Sequence, residues 1–174
     1  VSIPDSVTTM GNATFTASQN LQAIKLTANV KEIPTRAFAN GGTSLTEFGT
    51  LIIPEGVTSV GDSAFAGRHI KEVVWPSTLE KIGKQAFDNH QMTEVVLPGN
   101  VKTIGMRAFR VMQDGIQPTL TKIVLNEGLE TIGQEAFVGS KITELELPST
   151  VTLSHGDKAA DCIFGLKGKP VNPI

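Results

Sequence analysis

Three histidines, one cysteine and a recurring glutamate are the side chains of this sequence with chemistry to offer. The histidines are His69, His90 and His155, and Cys162 is the only cysteine. His69 follows Phe65 by four residues and His90 follows Phe87 by three, so the two fall on one edge of adjacent copies of a recurring segment. Imidazoles placed in this way could approach one metal ion. No carboxylate or thiol recurs beside them as a third ligand, however, and solvated edge residues are the simpler expectation. Glu72, Glu94 and Glu144 recur at one position of successive strand-like runs. Carboxylates one strand apart on an open sheet lack the enclosed pocket that tunes a pKa for acid–base work. Nucleophile-elbow, phosphate-loop and HExxH zinc signatures are all missing from the sequence. Cys162, beside Ile163 and Phe164, reads as an apolar filler. The expectation is a non-enzyme that needs neither metal nor organic cofactor.

The elements around these residues repeat, and repeats must be found before anything else. Phe15, Phe38, Phe65, Phe87, Phe109 and Phe137 are spaced 23, 27, 22, 22 and 28 residues apart. Alanine precedes five of them, and Thr14 precedes Phe15. Glycine stands four residues upstream in five units, as Gly11, Gly61, Gly83, Gly105 and Gly133, and Pro34 replaces it in the second. The other half of each unit is an apolar run such as Ile70–Trp75, Met92–Leu97 or Leu120–Leu125, usually closed by proline (Pro54, Pro76, Pro98, Pro148). The unit reads LxxIxLPxxVxxIGxxAF plus a connector. Two connectors are long, 39–47 and 110–119, which places both insertions on one edge.

This unit resembles the BspA-like leucine-rich repeat, the type also described from treponemal surface proteins. The resemblance covers roughly residues 3 to 147, as six consecutive copies. The family often carries cysteine three residues after the phenylalanine. Here those places hold Ser18, Gly41, Arg68, His90, Met112 and Ser140. The resemblance implies a bacterial secreted or cell-surface protein whose repeats bind macromolecules on host or neighbouring cells.

Physical reasoning leads to the same architecture. A strand of about five residues cannot bury its apolar face alone, but stacked beside its equivalents it shares one core. The expected fold is mainly β with short helical or 3₁₀ turns: a right-handed solenoid with a parallel sheet, spanning 1–150. Residues 151–174 read as a degenerate C-terminal repeat, or cap, and a tail. The phenylalanines should form an internal ladder, edge to face. Because proline holds φ near −65°, Pro34 implies that the equivalent glycines do not supply positive φ and are instead demanded by a close neighbouring chain. Trp75, the only tryptophan, stands where other units have Leu or Ile, as an enlarged core residue or a partly exposed binding aromatic. Ile3-Pro4 is already in repeat register, so the chain reads as a piece of a longer protein. Its first strand edge, between Ile3 and Leu26, is expected to promote self-association.

Composition narrows the partners. Fifteen Lys and Arg against 17 Asp and Glu leave a net charge of −2, dispersed along the chain, which argues against a nucleic-acid surface. The run of apolar residues needed for membrane insertion is absent. A protein or other macromolecule remains as the expected partner. The fifth strand position points away from the core and reads Lys25, Ile52, Val74, Val96, Val124, Glu146. The third reads Ala23, Thr50, Glu72, Glu94, Lys122, Glu144. A continuous row from Ile52 to Val124, bordered by Glu72, Glu94 and Lys122, is the candidate binding stripe. The alternative is that β-branched residues stand there only because they favour strands, in which case the repeats are a spacer or display stalk for another domain.

Overall fold

Apolar residues at the first, fourth and sixth places of each run turn inward and lay down one strand per unit. The computed structural model describes residues 1–40, 47–112, 117–149 and 152–153. Its face strands are β2 (Glu47–Ile52), β4 (His69–Val74), β6 (Glu94–Val96), β8 (Lys122–Val124) and β10 (Glu144–Glu146). Pro54, Pro76 and Pro98 each start a turn at a strand end, because the carbonyl accepts the N–H three residues on, from Val57, Leu79 and Val101. The IG half then forms a second set of short strands, β1 (Glu32–Ile33), β3 (Ser59–Val60), β5 (Lys81–Ile82), β7 (Thr103–Ile104), β9 (Thr131–Ile132) and β11 (Thr152–Leu153). All pairing between strands is parallel.

The second set joins into a continuous sheet, β1-β3-β5-β7-β9-β11, with Ile33, Val60, Ile82, Ile104, Ile132 and Leu153 in one row. After each glycine comes a run of hydrogen-bonded turns. Where a short helix was expected, i→i+3 bonds such as Ala64 to Gly61 and Ala66 to Ser63 succeed one another, and the described residues contain no helix. The second residue after the glycine explains this. Ala13, Arg36, Ser63, Gln85, Arg107 and Glu135 all have φ between 53 and 58°, a left-handed conformation that breaks a right-handed helix. Each of the first five donates its N–H to the next unit, as Ser63 does to Lys84 and Gln85 to Met106.

None of the repeat glycines has positive φ. A Cβ on Gly61 would lie 2.8 Å from the Ile33 carbonyl oxygen, and one on Gly105 would lie 2.5 Å from the Gly83 carbonyl carbon. Backbone packs on backbone there, as Pro34 implied.

Between the sheets runs the core. Phe38, Phe65, Phe87, Phe109 and Phe137 are sealed from water with the alanine before each. The rings stack rather than meet edge to face: neighbouring centroids lie 5.2–5.4 Å apart with interplanar angles of 3–15°. Identical backbones give identical rotamers, so translation from unit to unit keeps the rings parallel, at a separation near the ~4.8 Å spacing of strands. Edge-to-face geometry enters only where a different ring meets the ladder, at Trp75 and at His90.

At the N-terminal end, the Leu21–Leu26 segment is covered by the chain's own first residues. Ile3 N–H bonds the Lys25 carbonyl at 2.9 Å, and Lys25 N–H bonds the Val1 carbonyl at 2.8 Å. The sheet edge expected to drive self-association is therefore moved to Ser2, and Pro4 follows it closely. Val7, Met10 and Phe15 remain only half buried there. The C-terminal unit, with His155 and Cys162, lies outside the described residues apart from β11, and so do the middles of both insertions.

Candidate functional site

Alternation along each face strand, buried at one residue and outward at the next, puts the third and fifth positions on the open face. Registers align Thr50 with Glu72 and Ile52 with Val74 in β2 and β4. They align Glu94 with Lys122 and Val96 with Val124 in β6 and β8, and Lys122 with Glu144 in β8 and β10. Ile52, Val74 and Val96 are 59, 47 and 43 % exposed, although all are large and apolar. Val124 and Lys122 are half buried. Lys122 Nζ lies 3.6 Å from Glu144, and the Thr50 hydroxyl donates to Glu72 at 2.8 Å. Glu94 forms no ion pair among the described residues.

The row is not the continuous ladder expected. Face strands pair as β2-β4 and as β6-β8-β10, with no pairing between β4 and β6. At the equivalent step of the other pairs, Ile53 N–H reaches the Val74 carbonyl, Leu97 that of Val124 and Leu125 that of Glu146. Trp75 N–H makes no such bond to Val96. Thr121 and Lys122 donate to the Thr93 carbonyl, and Thr143 and Glu144 to that of Thr121. Thr93 and Glu94 make no corresponding bond to β4. Only the start of the seam is tied, by Gln91 N–H to the Ile70 carbonyl at 2.9 Å.

Trp75 stands at the gap. Its indole is edge-on to Phe87 of its own unit at 5.3 Å and also to Phe109 of the next at 6.2 Å. Leucine holds this place in the next two units, as Leu97 and Leu125, whereas the larger ring reaches across the boundary between two repeats. A cleft of about 590 Å³ lies along the seam, lined by residues of both strands. At its floor, Val73 and Trp75 are only partly buried, whereas their mid-stack equivalents Leu51, Ile53, Val95, Leu97, Ile123 and Leu125 are fully buried. The pattern around β4 matches its neighbours, so the one tryptophan was the only signal of the seam in the sequence.

The histidines are not solvated edge residues. Both are buried. His90 Nδ1 accepts the Met92 N–H at 2.9 Å, which leaves Nε2–H to donate to the Phe109 carbonyl at 3.2 Å. Both nitrogens are thereby committed to the backbone. Sealing from water pushes the His90 pKa down to about 4, against the opposing pull of the Phe109 carbonyl and of Asp88. Arg68, at the place where the family often has cysteine, is buried as well, and desolvation lowers its pKa. Asp88 and Arg110 form a two-point ion pair across adjacent units, at 3.0 and 2.7 Å. Among the described residues no group of three or more His, Cys, Asp or Glu side chains converges on a point. No helix there is long and apolar enough to cross a membrane.

A solved leucine-rich repeat protein from Bacteroides ovatus is similar, with a TM-score of 0.57 at 20 % identity over 87 % of this chain. The chain spans 43 % of that protein's length. No curated protein matches significantly. The family model described as the BspA type leucine-rich repeat region, in six copies, matches residues 1–114 and 44–160. With that match over nearly its whole length, the chain belongs to the BspA-type leucine-rich repeat family.

Proposed function

We propose that this chain is a non-enzymatic protein-binding module of a bacterial secreted or cell-surface protein, and that its partner, a macromolecule on a host or neighbouring cell, docks on the open face of the β2–β10 strands. Repeats of this family typically serve protein–protein interaction and carry no catalytic site. The observation that carries the reading is the exposure of Ile52, Val74 and Val96. Large apolar side chains held in water beside Glu72 and Glu94 have the look of an interaction surface. Val124 and Lys122 extend the face on the far side of the seam.

The test is adhesion. Beads coated with the chain should attach to host-cell monolayers or to bacterial cells. Val74→Lys combined with Val96→Lys should abolish attachment while the circular dichroism spectrum is unchanged. Equal attachment by the double variant would rule the face out. Failure of the parent chain to attach to either would favour the spacer reading, in which these residues serve only to form the sheet.

A further inference from the structure

We infer that the seam between β4 and β6 is a slot for an extended peptide strand that carries a basic side chain, and that Trp75 keeps it open. The inference deepens the reading above by naming what one part of the open face takes.

Three observations converge on it. The first is backbone. A parallel sheet interrupted at mid-stack leaves the Trp75, Thr93 and Glu94 N–H groups without the bonds that Leu97, Thr121 and Lys122 make one unit later. A strand edge of this kind is satisfied by another strand, the basis of β-augmentation. The second is the floor. Val73 and Trp75 belong to the inward row, yet they are only partly buried and line a cleft of about 590 Å³. An inserted strand points alternate residues downward, and one apolar side chain from it would cover the indole. The third is the rim. Glu72 and Glu94 flank the cleft and Lys71 is the one cation lining it, so carboxylates outnumber ammonium groups by two to one. The charge offered to an upward-pointing residue is therefore negative, and it selects a lysine or arginine.

Trp75→Leu is the decisive variant, since Leu97 and Leu125 show that leucine fits this place in the same fold. It should let β4 pair with β6. By hydrogen exchange, the amides of residue 75, Thr93 and Glu94 should be weakly protected in the parent and should become as protected as those of Leu97, Thr121 and Lys122 in the variant. The binding probe is the labelled heptapeptide TVKVLTV, followed by fluorescence anisotropy and by the emission of Trp75. Saturable binding in the micromolar to millimolar range is expected. It should be lost with TVKPLTV, whose proline cannot join a ladder, and weakened roughly tenfold with TVEVLTV or by Glu94→Gln. A seven-residue display library panned on the parent, with Trp75→Leu as counter-selection, should enrich basic, proline-free sequences.

Equal binding by Trp75→Leu, equal binding of the proline peptide, or strong protection of the three amides in the parent would each overturn the slot. So would the absence of saturable binding by the peptide together with no library enrichment. Trp75→Leu leaves Val74 and Val96 in place, so adhesion lost only in the double lysine variant would support the face while the slot fails.

Discussion

Arg68 Nη1 lies 2.9 Å from the carbonyl oxygen of Ser18, a residue fifty positions earlier. The same guanidinium donates through Nε to the Phe38 carbonyl at 2.6 Å and through Nη1 to that of Leu21 at 3.4 Å. In a protein whose units otherwise bond mainly to their neighbours, this buried side chain ties the third phenylalanine unit back to the first. Replacing it with Met would leave three carbonyls without this donor. Arg68→Met is expected to lower the free energy of unfolding by about 2–4 kcal/mol. Arg68→Lys should recover less than half, because a point charge cannot reproduce the planar fork. Urea denaturation measures both; a neutral Arg68→Met would show the clamp to be incidental.

The stacked phenylalanines are not equivalent. Phe87 is sealed, lies between Phe65 and Phe109 and meets the edge of Trp75, whereas Phe15 is half buried and stacks only on Phe38. Phe87→Ala should cost about 3–5 kcal/mol, and Phe15→Ala less than half of that. Similar costs at the two sites, by chemical denaturation, would contradict the stacking gradient.

Close backbone approach makes a sharper prediction for glycine. A Cβ on Gly105 meets the Gly83 carbonyl carbon and Lys84 nitrogen at 2.5 Å, while one on Gly11 finds nothing nearer than the Thr14 hydroxyl at 3.8 Å. Gly105→Ala should destabilise by about 1–3 kcal/mol or more, and Gly11→Ala should be neutral or slightly stabilising. Thermal melts of the two variants decide it.

Acid should loosen the fold through His90. Its folded pKa of about 4 lies below the ordinary 6.5, so as pH falls the unfolded chain takes the proton first. The stability that rests on neutral His90 is complete above pH 6.5 and is lost progressively between 6.5 and about 4. The loss approaches about 3 kcal/mol. His90→Asn should flatten that part of the stability–pH curve and leave any carboxylate contribution in place. An unchanged slope in the variant would remove His90 as the cause.

The repeat and its glycines were legible because they rest on residue type. Phenylalanine spacing gave the period, and Pro34 in a glycine's place excluded positive φ and pointed to close packing. The left-handed column at Ala13, Arg36, Ser63, Gln85, Arg107 and Glu135 left no trace. The side chains are unrelated, and in the first five an inter-unit backbone bond holds the conformation and overrides intrinsic preference. The edge assigned to His69 and His90 was right in chain order and wrong in depth, since at these two places the chain folds inward after the phenylalanine, whereas Met112 at the place equivalent to His90 stays exposed. The seam falls at the one place where an indole replaces leucine or isoleucine, and binary patterning does not register volume.

The two sheets also differ mechanically. The β1-to-β11 ladder runs unbroken, while the face ladder is cut at mid-stack between β4 and β6, as it is between the Leu21–Leu26 segment and β2. A beam continuous along one side and notched on the other flexes at the notch, with the stacks on either side as rigid arms. An opening of a few ångströms between Trp75 and Val96 would therefore swing the far ends through a larger arc. Anything wedged into that joint should register as a change in overall curvature, visible as a shifted radius of gyration by small-angle scattering.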